Sequence, residues 1–501
     1  METLILFFLL FPFFYLLLSA WRMHRRREQL PPGPAPLPLV GNLLHGGATL
    51  YDTYPKFWKK YGDVFTIWLG PSPVVVLNGF KTIKEALINY SYQFGERGTM
   101  PIAARLGDGY GIIAVNGEHF QQTKRFAVMT LRNFGMGKRS MEERVQEEAQ
   151  HLIQAIEDTA DGPFNPKALL GQALNNVINL VVFGRRWDLD CKDQDFLEFF
   201  RIINSIFEFV RGPLGLMYTI LHKIINHLPG PHQKVFQDAE RVKSFIKEEI
   251  HSHRKTLNPN SPRDFIDCFL IQAEKEAGVK NSSFFFDNLV ATAFEMFIAG
   301  TDTTASTLQY SLLVMMKYPH IQDRIQMELD EVIGSDRLPG IADRSQMPYT
   351  NAVVHEIMRY LDLVPLSLPH QTAEDINFKG FTIPKGTNVI PLLASALADP
   401  EHWKNPHQFD PENFLDEDGK FCKQEALIPF SIGKRICPGE GLARMEVFLF
   451  LTALLQKFTF RPANPTDTFN LMVLRRAFRK QGLSYHLTAS PRTERRGALI
   501  K

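Results

Sequence analysis

The segment FSIGKRICPG, which runs from Phe430 to Gly439, carries the strongest chemical signal in the sequence. It places Cys437 between two glycines, Gly433 and Gly439, with Arg435 two residues before the cysteine. Glycine lets a backbone turn tightly and approach a flat ligand, and nearby N–H groups can then point at the sulfur. An arginine can pair with a carboxylate of such a ligand. The pattern is typical of a cysteine thiolate that binds a haem iron as an axial ligand.

The run AGTDTT begins at Ala299, within a long apolar stretch that is predicted to form a helix. Glycine inside a helix costs about 1 kcal/mol relative to alanine, so Gly300 requires a local reason. We expect Ala299 and Gly300 to let a flat cofactor and a bound diatomic molecule approach the helix. Thr303 can donate to a backbone carbonyl and open a groove there. Because an acid beside an alcohol can relay protons, Asp302 and Thr303 are predicted to serve dioxygen chemistry.

These two motifs resemble those of the cytochrome P-450 family, and the resemblance extends from the N-terminus to about Leu487. It is nearest to the microsomal enzymes of vertebrate family 2. The resemblance implies a mainly α fold with small β-sheets, a haem b with a cysteine thiolate ligand, and monooxygenation. In that reaction one atom of O2 enters an apolar organic substrate, such as a xenobiotic, a fatty acid or a steroid. The family comparison places the walls of the substrate pocket at residues 101–115, 196–210, 291–303, 363–368 and 474–478.

The resemblance also implies side chains that hold the two haem propionates. Arg97 and His370 are expected to do so beside Arg435. Where the family has a tryptophan followed four residues later by an arginine, this chain has Phe120 and Lys124. We expect Lys124 to pair with a propionate as a point charge. Phe120 lacks an indole N–H, so one propionate hydrogen bond is expected to be absent or made by water.

A further motif of the family is a glutamate and an arginine three residues apart on one helix face, here Glu356 and Arg359. The spacing alone is uninformative. The position of the pair between the apolar helix and the cysteine loop implies a structural ion pair buried under the haem-binding core. The family often adds an arginine from a nearby segment, where this chain has Asn413. Asparagine can donate a hydrogen bond but supplies no charge.

The source of electrons is expected to lie outside this chain. No Gly-x-Gly-x-x-Gly motif follows a convincing strand, so the sequence predicts neither a flavin nor a nicotinamide site. We expect a separate NADPH-cytochrome reductase, with cytochrome b5 as a further candidate. A basic patch on the cysteine side would steer such an acidic partner, and an ordinary solvated face is the alternative. Its expected members are Lys124, Arg125, Arg132, Lys138, Arg139 and Arg444.

Residues 4–21 are almost wholly apolar, and four arginines follow within residues 22–27. At about 1.5 Å per residue, this stretch can just span a bilayer core. The positive-inside rule places the chain after the arginines in the cytosol. We expect a single-pass signal anchor in the endoplasmic reticulum membrane, with a cleaved signal peptide as the alternative. The expected divisions are an anchor with its basic stop (1–27), a proline-rich hinge (28–40), a catalytic domain (41–490) and a basic tail (491–501).

Hydrophobic periodicity predicts two strands, 64–69 and 73–77, then helices over 142–158, 235–253, 284–316 and 320–334, and a second β-rich region over 375–390. A net charge of +2, without an aromatic-basic motif, argues against nucleic acid. Four cysteines without paired spacing argue against a disulfide framework. Two rival functions remain. A thiolate-haem isomerase or dehydratase would not need Asp302 and Thr303, and a non-enzymatic haem sensor would not need an apolar pocket.

Overall fold

The computed structural model describes residue 14 and residues 17–44, 50–134, 139–160, 162–187, 194–466, 469–473 and 484–492. These residues form a mainly helical body with three small β-sheets. Its helices are α1 (Leu50–Tyr61), α2 (Phe80–Lys84), α3 (Pro101–Leu106), α4 (Gly117–Phe134), α5 (Arg139–Glu157), α6 (Pro166–Val182), α7 (Gln194–Arg211), α8 (Pro213–Ile225), α9 (Pro231–Thr256), α10 (Phe265–Lys275), α11 (Phe286–Lys317), α12 (Pro319–Val332), α13 (Pro348–Leu361), α14 (Leu393–Leu397) and α15 (Glu440–Lys457). Shorter helical turns cover Glu85–Asn89, Ile341–Gln346, Pro411–Phe414 and Gly433–Arg435.

The largest sheet brings two predicted site residues together. Its strands are, in spatial order, β1 (Val64–Leu69), β2 (Ser72–Leu77), β7 (Asn388–Pro391), β4 (His370–Gln371) and β3 (Glu96–Arg97). Strands β2 and β7 pair in parallel. Strands β3 and β4 pair so that Arg97 lies directly opposite His370. The two other sheets are the antiparallel pairs β5–β6 and β8–β9. The strands of these two sheets are β5 (Ile376–Phe378), β6 (Phe381–Ile383), β8 (Phe458–Pro462) and β9 (Leu487–Pro491).

The long helix α11 runs through the centre of the main hydrophobic core. It is apolar on most sides, which is why it is buried along most of its 32 residues. It packs most closely on α6, and also on α15, the helix that follows the cysteine loop. The predicted helices over 142–158, 235–253, 284–316 and 320–334 are confirmed as α5, α9, α11 and α12, with ends shifted by a few residues.

The proline-rich segment lies against the edge of the large sheet. The N–H of Thr66 in β1 donates to the carbonyl oxygen of Pro32 at 3.0 Å. A Cβ atom added to Gly33 would lie 1.9 Å from the Thr66 carbonyl oxygen, so only glycine fits this approach. The segment expected as a hinge, 28–40, is therefore attached to the body from Pro32 onward.

Among the described residues, no helix combines the length and the apolar character that crossing a membrane requires. Residues 17–27 are helical. Most of the predicted anchor, and the predicted tail beyond residue 492, lie outside the described residues.

Glu356 and Arg359 form a bidentate ion pair inside the body. Nε and Nη2 of Arg359 donate to the carboxylate at 2.7 and 2.6 Å, and both side chains are at most 1% exposed. Asn413 donates weakly to the same carboxylate, at 3.4 to 3.5 Å. The guanidinium also donates to three backbone carbonyl oxygens, those of Leu397, Pro406 and Gln408. The pair thus joins α13 to the segment that leads into the cysteine loop.

Candidate haem site

The cysteine loop folds back on itself just before α15 begins. The N–H of Cys437 donates to the carbonyl oxygen of Phe430 at 3.0 Å, which closes the loop. Gly433 has a φ of +75°, and a Cβ atom there would lie 2.2 Å from the Leu87 carbonyl oxygen. No other residue fits at Gly433, because both the conformation and the space exclude a side chain. Gly439 immediately precedes α15, so the sulfur lies near the positive end of that helix.

The Cys437 side chain combines an accessible surface with densely packed surroundings. Burial raises the pKa of the Cys437 thiol, and hydrogen bonds from the Gly439 and Glu440 N–H groups oppose that rise. N–H groups that point at the sulfur are what the sequence predicted for an axial thiolate. They stabilise negative charge on the sulfur and tune the electron density it can donate.

Arg97, Arg435 and His370 form a cradle of incompletely bonded nitrogen atoms; we call these three residues the cation cradle. Arg435 donates through Nε to Gly95 at 2.9 Å and through Nη2 to Val115 at 3.0 Å. Arg97 donates through Nη1 to the Leu368 carbonyl at 3.2 Å. Buried atoms without a partner remain on each member: Arg97 Nε, Arg435 Nη1 and His370 Nε2.

The charges of the cradle lack a counterion. Neither Arg97 nor Arg435 forms an ion pair with any described residue. Burial lowers the pKa of Arg97 to about 10, and burial together with the Arg97 charge lowers that of Arg435 to about 9. Buried cations normally have a partner, so the cradle fits a ligand that carries carboxylates. The two haem propionates meet that requirement.

His370 differs from the expectation that it supplies a cation. Burial and the Arg97 charge lower its pKa to about 3, so the ring is neutral at pH 7. Its Nδ1 lies 2.6 Å from the Phe94 carbonyl oxygen, which can only accept, so we assign the proton to Nδ1. The unpaired Nε2 is then an acceptor, and it can donate to a carboxylate only if it binds a second proton.

Phe120 and Lys124 lie beneath the cysteine loop. The Phe120 ring stacks against the Arg435 guanidinium, whose central carbon is 3.3 Å from the ring centroid. The Lys124 ammonium donates to the carbonyl oxygens of Lys434 and Ile436, at 2.6 and 2.8 Å. These two bonds attach Lys124 to the cysteine loop. Burial and nearby cations lower the pKa of Lys124 to about 8, so it remains charged at pH 7.

In α11, Thr303 donates its hydroxyl to the Ala299 carbonyl oxygen at 2.8 Å, as predicted. The Ala299 side chain is exposed in the middle of a helix that is otherwise mostly buried. Gly300 also has a packing reason that the sequence did not indicate. A Cβ atom at Gly300 would lie 2.8 Å from Ile178 Cδ1 in α6. The glycine therefore allows α6 and α11 to approach closely.

Two contacts to α11 were not found from the sequence. Arg211 Nη2, at the end of α7, donates to Asp302 Oδ2 at 2.6 Å. Glu295 accepts from the N–H groups of Ile112 and Ile113, at 2.5 and 3.0 Å, in the loop before α4. Burial raises the Glu295 pKa to about 7. An acid in an apolar helical stretch could have indicated Glu295, whereas nothing in the sequence marks Arg211.

Comparison with known proteins agrees with this geometry. The sequence model of the family described as Cytochrome P-450 matches residues 31–481. Over 479 residues the chain is 46% identical to cytochrome P-450 2C20 of Macaca fascicularis and 45% identical to cytochrome P-450 2C8 of Homo sapiens. Each alignment covers 95% of this chain and 97% of the relative. The chain is also 44% identical to cytochrome P-450 2M1 of Oncorhynchus mykiss, over 96% of this chain and 97% of the relative.

The chain belongs to the cytochrome P-450 family. It is a haem-thiolate monooxygenase that resembles the vertebrate family 2 enzymes, and its cofactor is haem with an axial cysteine thiolate. Cytochromes P-450 act on apolar substrates and receive electrons from a redox partner. This membership favours monooxygenation over the isomerase, dehydratase and sensor alternatives.

Proposed function

We propose that Cys437 is the axial haem ligand of this cytochrome P-450 and that the cation cradle holds the propionates. The observation that carries the proposal is the unpaired, buried nitrogen on Arg97 and on Arg435, neither of which has a counterion among the described residues. Arg97 is near enough to Cys437 to interact with it electrostatically. When bound, haem supplies the chemistry that splits O2, and a thiolate ligand favours that cleavage. The protein residues supply binding, orientation and protons.

Asp302 and Thr303 are proposed to deliver protons to the bound oxygen. The Thr303 hydroxyl is half-exposed and donates to the Ala299 carbonyl, which leaves its oxygen free to accept a proton from a neighbour. Asp302 is held by Arg211, and both side chains remain partly accessible. An acid in contact with solvent can be protonated again after each transfer.

The substrate is proposed to be apolar, because the charged groups nearest the pocket walls are already bonded. Arg105 in α3 lies within the first predicted wall segment, residues 101–115. It is half-buried and stacks on the Phe236 ring, with 3.9 Å between its guanidinium carbon and the ring centroid. Its guanidinium also donates to three neutral oxygens, those of Tyr218, Asn226 and Gln233. The predicted wall at 474–478 lies outside the described residues.

We further propose that the enzyme is a single-pass protein of the endoplasmic reticulum membrane, with its catalytic domain in the cytosol. The apolar sequence over residues 4–21 and the arginines that follow support this orientation. Lipid contact by the body is supported by exposed apolar side chains on and next to α8. They are Leu214, Leu216, Met217, Leu221, Ile224 and Leu228. Large exposed apolar patches commonly mark contact with a membrane or a partner.

The electron donor is proposed to be NADPH-cytochrome reductase, with cytochrome b5 as a second donor at the same surface. Arg125, Arg132 and Lys434 are exposed on the cysteine side and support a basic docking patch. Two of the expected members are engaged in other contacts. Lys124 bonds to the cysteine loop, and Arg444 pairs with Glu440 at 2.9 Å. Lys138 and the side chain of Arg139 lie outside the described residues.

The decisive experiment is the carbon-monoxide difference spectrum of the reduced protein. We expect a strongly red-shifted Soret band in the wild-type protein and in Cys422→Ala, a matched control because Cys422 is an exposed free thiol. Cys437→Ala should lose haem or the shifted band. A shifted band that persists in Cys437→Ala would refute the ligand assignment.

A further inference from the structure

Lys124 makes an unusual contact for a residue expected to bind a propionate. Its ammonium donates to Lys434 O at 2.6 Å and to Ile436 O at 2.8 Å. Ile436 immediately precedes Cys437, and the Ile436 carbonyl belongs to the peptide group that joins the two residues. One side chain on α4 therefore bonds two carbonyls, two residues apart, in the turn that presents the sulfur.

The neighbouring Phe120 explains why Lys124 can adopt this position. Its ring covers the Arg435 guanidinium, so an aromatic face rather than a donor occupies the space one helical turn before Lys124. Arg435 is in turn bonded to Gly95 and Val115, which keeps it away from the loop carbonyls. The carbonyls of Lys434 and Ile436 therefore accept from Lys124, which forms no ion pair with any described residue.

We propose that Lys124 is a positioning residue for the axial thiolate, and not a propionate ligand. It holds the loop at Lys434 and Ile436, and its positive charge withdraws electron density from the sulfur of Cys437. Groups just outside a metal's ligands orient those ligands and tune the metal in this way. The inference rests on the proposed role of Cys437 as the haem ligand.

Resonance Raman spectroscopy of the ferric holoenzyme tests the proposal, because it reads the iron–sulfur bond and the propionates separately. Lys124→Met removes the charge and the donors while keeping a similar length. We expect the iron–sulfur stretching band to shift to higher frequency, the reduction potential to fall, and the propionate bending bands to stay unchanged. A shift confined to the propionate bands would overturn the proposal, as would a spectrum identical to that of the wild type.

Lys434→Met is the matched control. It removes an equal charge from the loop that Lys124 contacts, but the Lys434 ammonium lies over the Tyr92 ring, 5.6 Å from its centroid. We expect its iron–sulfur band to match the wild type, and an equal shift in both variants would show that Lys124 has no special role. If Lys124→Met does not retain haem, Lys124→Gln is used instead, because its amide keeps an uncharged N–H donor group. The same iron–sulfur and propionate bands are measured for that variant. A wild-type protein without a thiolate-type spectrum would instead refute the ligand assignment itself.

Discussion

The ion pair Glu356–Arg359 and the cation cradle are both groups of buried charges, yet they are bonded in opposite ways. Arg359 donates to a carboxylate and to three carbonyls, so its charge and most of its donors have partners. In the cradle, Arg97 and Arg435 have no counterion among the described residues, and each retains an unpaired nitrogen. Burying an unpaired charge is costly. The comparison separates a buried charge that has its partners from two buried charges without a counterion, which we propose to bind the propionates.

Removing one partner of the complete pair tests the first half of this comparison. Arg359→Met would leave the Glu356 carboxylate buried without its cation. Loss of one partner of a buried ion pair typically costs about 3–5 kcal/mol. We expect the free energy of unfolding to fall by about that amount, measured by denaturant titration.

Arg201→Met is the matched control for that variant. Glu198 and Arg201 have the same spacing as Glu356 and Arg359, but Glu198 pairs with Arg241 at 2.7 Å and Arg201 is exposed. We expect a change within about 0.5 kcal/mol. Equal losses in the two variants would mean that burial does not distinguish the pairs.

Before haem binds, removal of a cation from the cradle should not lower the free energy of unfolding. Arg97→Met removes an unpaired buried cation, so the apoprotein should be as stable as the wild type or more stable. Haem affinity should nevertheless fall by about 10- to 100-fold, because a hydrogen bond to a charged group contributes about 1.5–3 kcal/mol. Apoprotein unfolding and haem titration measure the two effects. If the Arg97→Met apoprotein is as unstable as the Arg359→Met variant, then Arg97 stabilises the fold and is not reserved for a ligand.

Two threonines of α11 repeat the comparison on a smaller scale. Thr301 is 1% exposed and donates to Phe297 O at 2.8 Å, whereas Thr303 is half-exposed with the same type of bond. Thr303→Ala should lower the product formed per NADPH consumed several-fold, with the surplus electrons recovered as hydrogen peroxide. Thr301→Ala, the control, should keep its coupling and lose only stability. Equal uncoupling in both variants would argue against a specific proton-delivery role for Thr303.

A second buried and fully bonded group, His253 with Asp264, predicts a small pH dependence of stability. His253 Nε2 lies 2.8 Å from Asp264 Oδ2, and Nδ1 lies 2.7 Å from the Glu249 carbonyl oxygen. Burial lowers the pKa of His253, but Asp264, the Glu249 carbonyl and Asp267 outweigh it, so the pKa is raised overall.

The folded state therefore binds this proton more tightly than the unfolded state does. The resulting stabilisation is complete below the unfolded pKa of about 6.5 and is lost as the pH rises through the raised folded pKa. Unfolding measured on both sides of that window should show this loss in the wild type and a flatter profile in His253→Gln. Identical profiles would mean that the pair does not titrate in this range.

Local spacing in the sequence was enough to predict the chemistry. The residue types and spacing of the segment from Phe430 to Gly439 and of the run around Thr303 indicated their chemistry, although the space that requires glycine at Gly433 is set by the distant Leu87. The sequence also predicted that Thr303 donates to a backbone carbonyl, which is that of Ala299, one helical turn before it. The long buried helix and the first strand pair were likewise predictable from hydrophobic periodicity.

Only the tertiary structure decided which distant groups meet. Lys124 reaches Ile436 across 312 residues of chain, and Arg211 reaches Asp302 across 91. The sequence marked Gly300 as an exception to helix propensity, but its close approach to Ile178 on another helix appears only in the structure. The protonation state of His370 likewise depends on its burial and on the Arg97 charge. Long-range contacts, burial and electrostatic neighbours arise from packing, and the spacing of residues along the chain does not encode them directly.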